Sequence, residues 1–190
     1  GEKGRLIAFD QDKDALLNTI DDERFLLINE NFRYIKRFLR FHGVKKVDGI
    51  LADFGVSSHQ FDKAERGFST RFEAELDMRM NQDDELSAYD VINDYEEQDL
   101  AMMFKEYGEL RQAKGIARTI VESRKQKAIT TTEELKQNLK RFLLPRKEHK
   151  ILAQIYQAIR IEVNQEIEVL KEFLLQTPDL LDKGGRLSFI

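Results

Sequence analysis

No cysteine occurs among the 190 residues. That excludes a disulfide and a thiolate metal site, and it suits a cytoplasmic protein. The three histidines, His42, His59 and His149, stand far apart in no metal-ligand spacing, so no metal site is expected. Nowhere does an apolar run approach the ~20 residues that a membrane span requires, so no membrane partner is expected either. Gly1-Glu2-Lys3-Gly4 leads straight into a short apolar stretch, without the pattern of a secretory leader. No repeat at a fixed period is visible, which sets aside solenoid arrays.

What is present is a chain long enough for one domain or one and a half, with 41% hydrophobic residues for a core and 35% charged residues for a solvated surface. The net charge is −4, but the average hides an asymmetry. Between Arg111 and Lys150 stand twelve basic residues against four acidic ones, so this window carries +8 and the remainder −12. A basic region on an acidic body is what steering toward a phosphate backbone needs. A pair of solvated helices would give the same composition.

Along the chain, short apolar runs first alternate with amphipathic stretches, the mark of βαβ units and a parallel sheet. Arg5–Phe9, Phe25–Ile28 and Val47–Ala52 read as strands. Asp12 can cap a helix through Ala15, Leu16, Leu17 and Ile20, and Phe32, Ile35, Phe38 and Leu39 share one face of another that stops near Gly43. From about Ser87 the period becomes helical. Thr131 and Glu134 are spaced as a capping box, and an amphipathic stretch from about Ile151 to Leu175 reads as one helix or two. Arg186–Ile190, after Gly184-Gly185, reads as a fourth strand. The division expected is therefore 1–80 and 166–190 for an α/β core in one sheet, with 81–165 as an all-helical insertion.

In open α/β sheets, ligands bind at the carboxyl ends of the strands. Asp10 ends the first strand, where a carboxylate can accept hydrogen bonds from both hydroxyls of a ribose; a turn residue before a helix looks the same. Phe32, after the second strand, could lie against an adenine face or begin its helix's core. Asp53, followed by Phe54-Gly55-Val56-Ser57-Ser58-His59-Gln60, could hold the hydrogens of an exocyclic amine and aim its lone pair. Ser57 and Ser58 equally suit an ordinary loop.

Asp53-Phe54-Gly55-Val56-Ser57-Ser58, Glu65-Arg66-Gly67-Phe68-Ser69 and Leu76-Asp77-Met78-Arg79-Met80 follow at close spacing. Further on stand Ile129-Thr130-Thr131-Thr132 and Gln157-Ala158-Ile159-Arg160-Ile161-Glu162-Val163-Asn164. Together these five blocks resemble the MraW (RsmH) family of bacterial methyltransferases across essentially the whole chain. The resemblance implies a Rossmann-type methyltransferase with a helical insertion, using S-adenosylmethionine to methylate the exocyclic N4 amine of a cytidine in 16S ribosomal RNA of the small subunit. It implies that Asp10, Phe32, Asp53 and Gln60 bind the cofactor and that Asp53 also faces the reacting centre.

Ser57, Ser58, Arg66, Arg79, Arg124, Lys125, Lys127 and Arg160 are the substrate-binding candidates. An Arg79–Asp77 pair that merely orders its loop is the alternative for Arg79, and Arg160 and Asn164, four apart, share one helix face that meets RNA or packs. The resemblance also implies that a first strand with its Gly-Gly-His loop and the last strands lie outside this chain. Pro145-Arg146-Lys147 is a residue short of the family pattern. Without cysteine, the thiolate attack used by carbon-5 methyltransferases is closed to this chain. A nicotinamide oxidoreductase would need a Gly-x-Gly-x-x-Gly that is not seen. A non-catalytic RNA- or ribosome-binding module is the alternative, and a homodimer is left open.

Overall fold

The computed structural model describes residues 4–190; Gly1–Lys3, where the reading of a leaderless start begins, lie outside them. In chain order the described residues form β1 (Leu6–Phe9), β2 (Phe25–Ile28), α1 (Ile35–Phe41), β3 (Val47–Ala52), α2 (Ser58–Asp62), α3 (Ala88–Asp94), α4 (Glu97–Glu106), α5 (Ala113–Arg124), α6 (Thr132–Asn138), α7 (Glu148–Val163), α8 (Glu166–Leu180) and β4 (Leu181–Phe189), with short 3-10 segments between. The chain is mixed α/β and divides into two compact units. One is Gly1–Gly55 with Glu166–Ile190, the other Val56–Gln165.

In the strand-bearing unit β1 pairs parallel with β2, in register from Leu6↔Phe25 to Phe9↔Ile28. β3 pairs parallel with β4, which follows the helical unit in sequence. Their ladder is regular from Gly49↔Arg186 to Ala52↔Phe189, and it extends back to Leu181 only through an irregularity. The expected single sheet is thus two two-stranded ladders among the described residues. Side chains join them instead of hydrogen bonds. Ile7 and Phe9 of β1, Val47, Ile50 and Ala52 of β3, and Leu187 of β4 pack on the buried Ile35 and Leu39 of α1 and Phe173 and Leu180 of α8.

The helix expected after Asp12 is only a 3-10 segment, Lys13–Asn18. Asp12 does cap it, accepting from the Asp14 N–H, but Thr19 closes it by returning both N–H and hydroxyl to the Leu16 carbonyl. Helices owe most of their stability to a packed apolar face. Here Leu17 is 83% exposed and Ile20 59%, so that face is unpacked. In α8, Pro178 cannot donate to the Leu174 carbonyl, and the Thr177 hydroxyl donates there instead at 2.9 Å.

The helical unit is built round a large core that includes Leu100, Phe104, Ile116, Ile120, Ile155 and Ile159. Ser87 and Asp90 start α3 with a complete capping box. Thr131 accepts from the Glu134 N–H at the start of α6, but the Glu134 carboxylate reaches one residue further back, to the N–H and hydroxyl of Thr130. The long amphipathic stretch is indeed two helices, parted at Gln165, whose φ is +50°. Phe68, Leu76, Met78 and Met80 are buried in this same core. That packing places residues 56–80 in the same compact unit as the helices that follow.

Candidate active site

The parallel pairing of β1 and β2 brings their carboxyl ends side by side, and polar side chains stitch the loops that follow. The Asp10 N–H continues the ladder to the Ile28 carbonyl, and the Asn29 side-chain amide donates to the Asp10 carbonyl at 2.9 Å. Asn31 accepts from the Arg33 N–H with its oxygen and donates to the Gln11 side chain with its nitrogen, at 2.7 Å. One Asp10 carboxylate oxygen accepts from the Asp12 N–H at 2.9 Å. The other makes no hydrogen bond or ion pair among the described residues.

Partial burial of the Asp10 carboxylate pushes its pKa above the usual value; the Asp12 N–H pulls the other way, and the Asp12 charge adds to the rise. The residue as a whole is exposed.

Phe32 is half-buried and edge-on to Phe173 of α8, with ring centroids 5.3 Å apart. The turn that carries it is clamped from α8. The Arg33 guanidinium meets both oxygens of Glu172 at 2.8 and 2.5 Å, the Gln176 amide donates to the Arg33 carbonyl, and Lys36 pairs with Asp179.

Past the end of β3, the Phe54 ring lies 5.6 Å from Phe32 and 5.8 Å from Phe173. That aromatic contact brings the end of the second ladder to the loop after β2. The backbone here is fixed, because Ile190 donates to the Ala52 carbonyl and Phe54 to the Ile190 carbonyl. The exposed Asp53 carboxylate between them has no partner among the described residues. A free carboxylate on a held backbone is what a site needs when the ligand, and not the protein, is to supply the hydrogen-bond donors.

The remaining candidates lie in the helical unit. Ser57 and Gln60 form a complete capping box at the start of α2, with Gln60 only 4% exposed, so that its side chain serves the turn. Ser58 is exposed in the first turn. Arg66 is 2% exposed and donates to the carbonyls of Arg79 and Met80, so it orders the loop and does not reach a phosphate. Arg79 takes its alternative reading, pairing with Asp77 at 2.5 Å and donating to the Asp84 carbonyl.

Arg124 turns inward to the carbonyls of Ile92 and Tyr95. Lys127 pairs with Glu134 and, with the Thr130 bonds, draws that carboxyl down to about 2. Lys125 is exposed and unpaired among the described residues. Arg160 is half-buried and engaged within the chain. Its neighbour on that face, Asn164, packs: it accepts from the Met80 N–H at 2.7 Å and donates to the Met78 carbonyl at 2.8 Å.

A model of the MraW methylase family matches residues 1–190. The chain belongs to that family. Over its full length it is 69% identical to the Ribosomal RNA small subunit methyltransferase H of Christiangramia forsetii and 66% to the protein so named in Flavobacterium johnsoniae. Its identity to the Bacteroides thetaiotaomicron protein of that name is 50%. The chain spans 63%, 63% and 62% of the lengths of these three relatives.

In this MraW methylase family member, sequence reasoning missed the residues that hold the strand ends. Asn31 could have been found, since an asparagine before a helical turn is a cap signal. Gln11 and Asn29 carry no such signal. Phe54 stood inside a quoted motif without a role, and Phe173 reaches the site only through tertiary packing. Among the described residues no group of three or more histidines and carboxylates could hold a metal ion, and no helix is long and apolar enough to cross a membrane.

Proposed function

We propose that the protein containing this chain is a cytoplasmic, S-adenosylmethionine-dependent methyltransferase that modifies the exocyclic N4 amine of a cytidine in 16S ribosomal RNA of the small subunit. The helical unit is then an insertion in a Rossmann-type methyltransferase sheet. The observation that carries this reading is the gathering of strand ends: Asp10 with an open carboxylate oxygen, Asp53 with a free carboxylate, and the Phe32–Phe54 contact that draws the two loops together. Membership in the MraW methylase family and the names of the relatives support the reaction and the substrate class.

The residues present fit the nucleoside part of the cofactor. A ribose diol offers two donors, and the partly desolvated Asp10 carboxylate has acceptor capacity to spare. The half-buried Phe32 ring, in the turn after β2, would supply apolar surface for the adenine. Gln60 is assigned to the methionine end by the resemblance alone. When bound, the cofactor supplies an electrophilic methyl carbon on a sulfonium.

The chain's own task is positioning. Asp53 accepts a hydrogen bond from the cytidine amine and so aims the amine lone pair, and it stabilises the positive charge that grows on nitrogen as the bond forms. The proton then passes to solvent, since an alkylated arylammonium is acidic enough to need no strong base. Transfer is direct, without a covalent enzyme intermediate.

The test uses the full-length protein, labelled S-adenosylmethionine, and small ribosomal subunits from cells that lack the enzyme, with the labelled nucleoside identified by mass spectrometry. Label on the N4 amine of a cytidine, lost in Asp53→Asn, is the expected result. Cofactor binding with no transfer would send the search to another substrate, and absence of cofactor binding would favour a binding module.

A further inference from the structure

We propose that the corner between α6 and α7, residues 140–150, is the surface that grips the phosphate backbone of the RNA substrate. This rests on the RNA-methylating reading above and moves the contact away from Arg124 and Lys127.

The basic window is less uniform than its sequence suggests once its partners are known. Arg118 is paired with Glu122, Lys127 with Glu134 and Lys136 with Glu148, while Arg124 is spent on backbone carbonyls. The pairs consume three of the window's four carboxylates. Of the basic residues left without an ion pair among the described residues, Arg111, Lys114 and Lys125 stand apart, and the largest group in sequence lies at the corner. Lys140, Arg146, Lys147 and Lys150 are exposed and have no ion pair among the described residues. Arg141 is held by the Thr119 hydroxyl and stacked on Phe142, 4.8 Å from the ring centroid, and makes no ion pair among the described residues. The corner's own carboxylate, Glu148, is already taken by Lys136.

Two features set this cluster apart from a merely solvated face. Lys147 occupies the cap position of α7 and Lys150 its first turn. That is the positive end of a helix, where the backbone dipole disfavours cations and favours anions. Glu148 in the same turn offsets that placement only in part, because it is shared with Lys136, and a phosphate would add to it.

The corner is also held in shape. Leu143 donates to the Lys140 carbonyl, Leu144 to that of Phe142 and Lys147 to that of Leu144, while Arg146 adopts a φ of +68°. Phe142 packs so closely on α5 that a Cβ at Gly115 would lie 3.1 Å from its ring. Lys127, by contrast, shares a groove of about 570 Å³ with Arg141 and with Glu73, Glu122, Glu133 and Glu134, whose carboxylates repel phosphate.

The test is binding of fluorescein-labelled small-subunit ribosomal RNA to the full-length protein across a potassium chloride series. The variant carries Lys140→Glu, Arg146→Glu, Lys147→Glu and Lys150→Glu, and Lys183→Glu on the strand unit serves as the control. The four-fold variant should lose affinity by more than about tenfold near 0.1 M salt, and the slope of log K against log salt should shrink by about 3.

Its melting temperature should match or exceed the wild type's, because glutamates at the start of α7 suit the dipole, so lost binding will not reflect unfolding. Unchanged affinity and slope, in a protein that does bind RNA and transfer methyl groups, overturns the corner and leaves the functional reading intact. A wild type that does neither overturns both. Loss of binding to phosphatidylglycerol vesicles with RNA affinity preserved would reassign the corner to a membrane surface.

Discussion

Among the described residues the helical unit buries twenty-four hydrophobic residues and the strand unit six, although the strand unit carries the open carboxylates. Large exposed apolar side chains show the reverse bias. Leu6, Leu17, Phe41, Leu51, Leu175 and Ile190 all lie on the strand unit and are each more than 60% exposed. In the helical unit fewer large apolar side chains are exposed, Met102 and Leu144 among them. Within this chain one unit supplies most of the core, and the other supplies the strand ends.

The largest expected effect follows from that imbalance. Phe104→Ala, at a fully buried position of the helical unit, should cost about 3–5 kcal/mol in denaturant unfolding of this chain. Leu17→Ala in the strand unit, at 83% exposure, should stay within about 0.5 kcal/mol. Equal costs would break the comparison.

A smaller contrast sits within the helical unit. Arg124→Ala leaves the carbonyls of Ile92 and Tyr95 without their charged donor and should cost about 1.5–3 kcal/mol. Lys125→Glu, one residue on, should leave the melting temperature nearly unchanged.

The smallest effect concerns Asp10. Because burial raises its folded pKa, its protonated form is the one folding favours. Its contribution to stability is therefore full below the unfolded carboxyl value and declines as pH rises through the folded pKa. Asp10→Asn should melt higher than the wild type at pH 7, and the gap should close by about pH 3, below the ordinary aspartate value of ~3.9. A gap that widens in acid would show the shift to have the opposite sign.

How much of this was legible in the sequence depended on where each signal lived. Phe25–Ile28 and Val47–Ala52 were readable to the residue, because a short apolar run bounded by polar turns leaves few alternatives. The Leu16–Ile20 stripe misled, since periodicity reports that a face could be buried and not that anything covers it. Asp10 and Asp53 were legible as strand-end carboxylates, whereas the aromatic contact that gathers their loops depends on Phe173, distant in sequence.

The basic candidates were the least legible. Arg66, Arg79, Arg124 and Lys127 are chemically indistinguishable from phosphate ligands until their carbonyl and carboxylate partners are known. Sequence gives the charge of an arginine but not its occupation.

The central claim is that the strand ends hold the cofactor and the helical corner holds the RNA. Equilibrium dialysis of labelled S-adenosylmethionine against the full-length protein tests it most directly, with Asp10→Ala beside the four-fold glutamate variant of the corner. Loss of two carboxylate hydrogen bonds should weaken cofactor binding in Asp10→Ala by roughly tenfold or more, and the corner variant should bind as the wild type does. Wild-type affinity in Asp10→Ala, or a loss confined to the corner variant, would contradict the account.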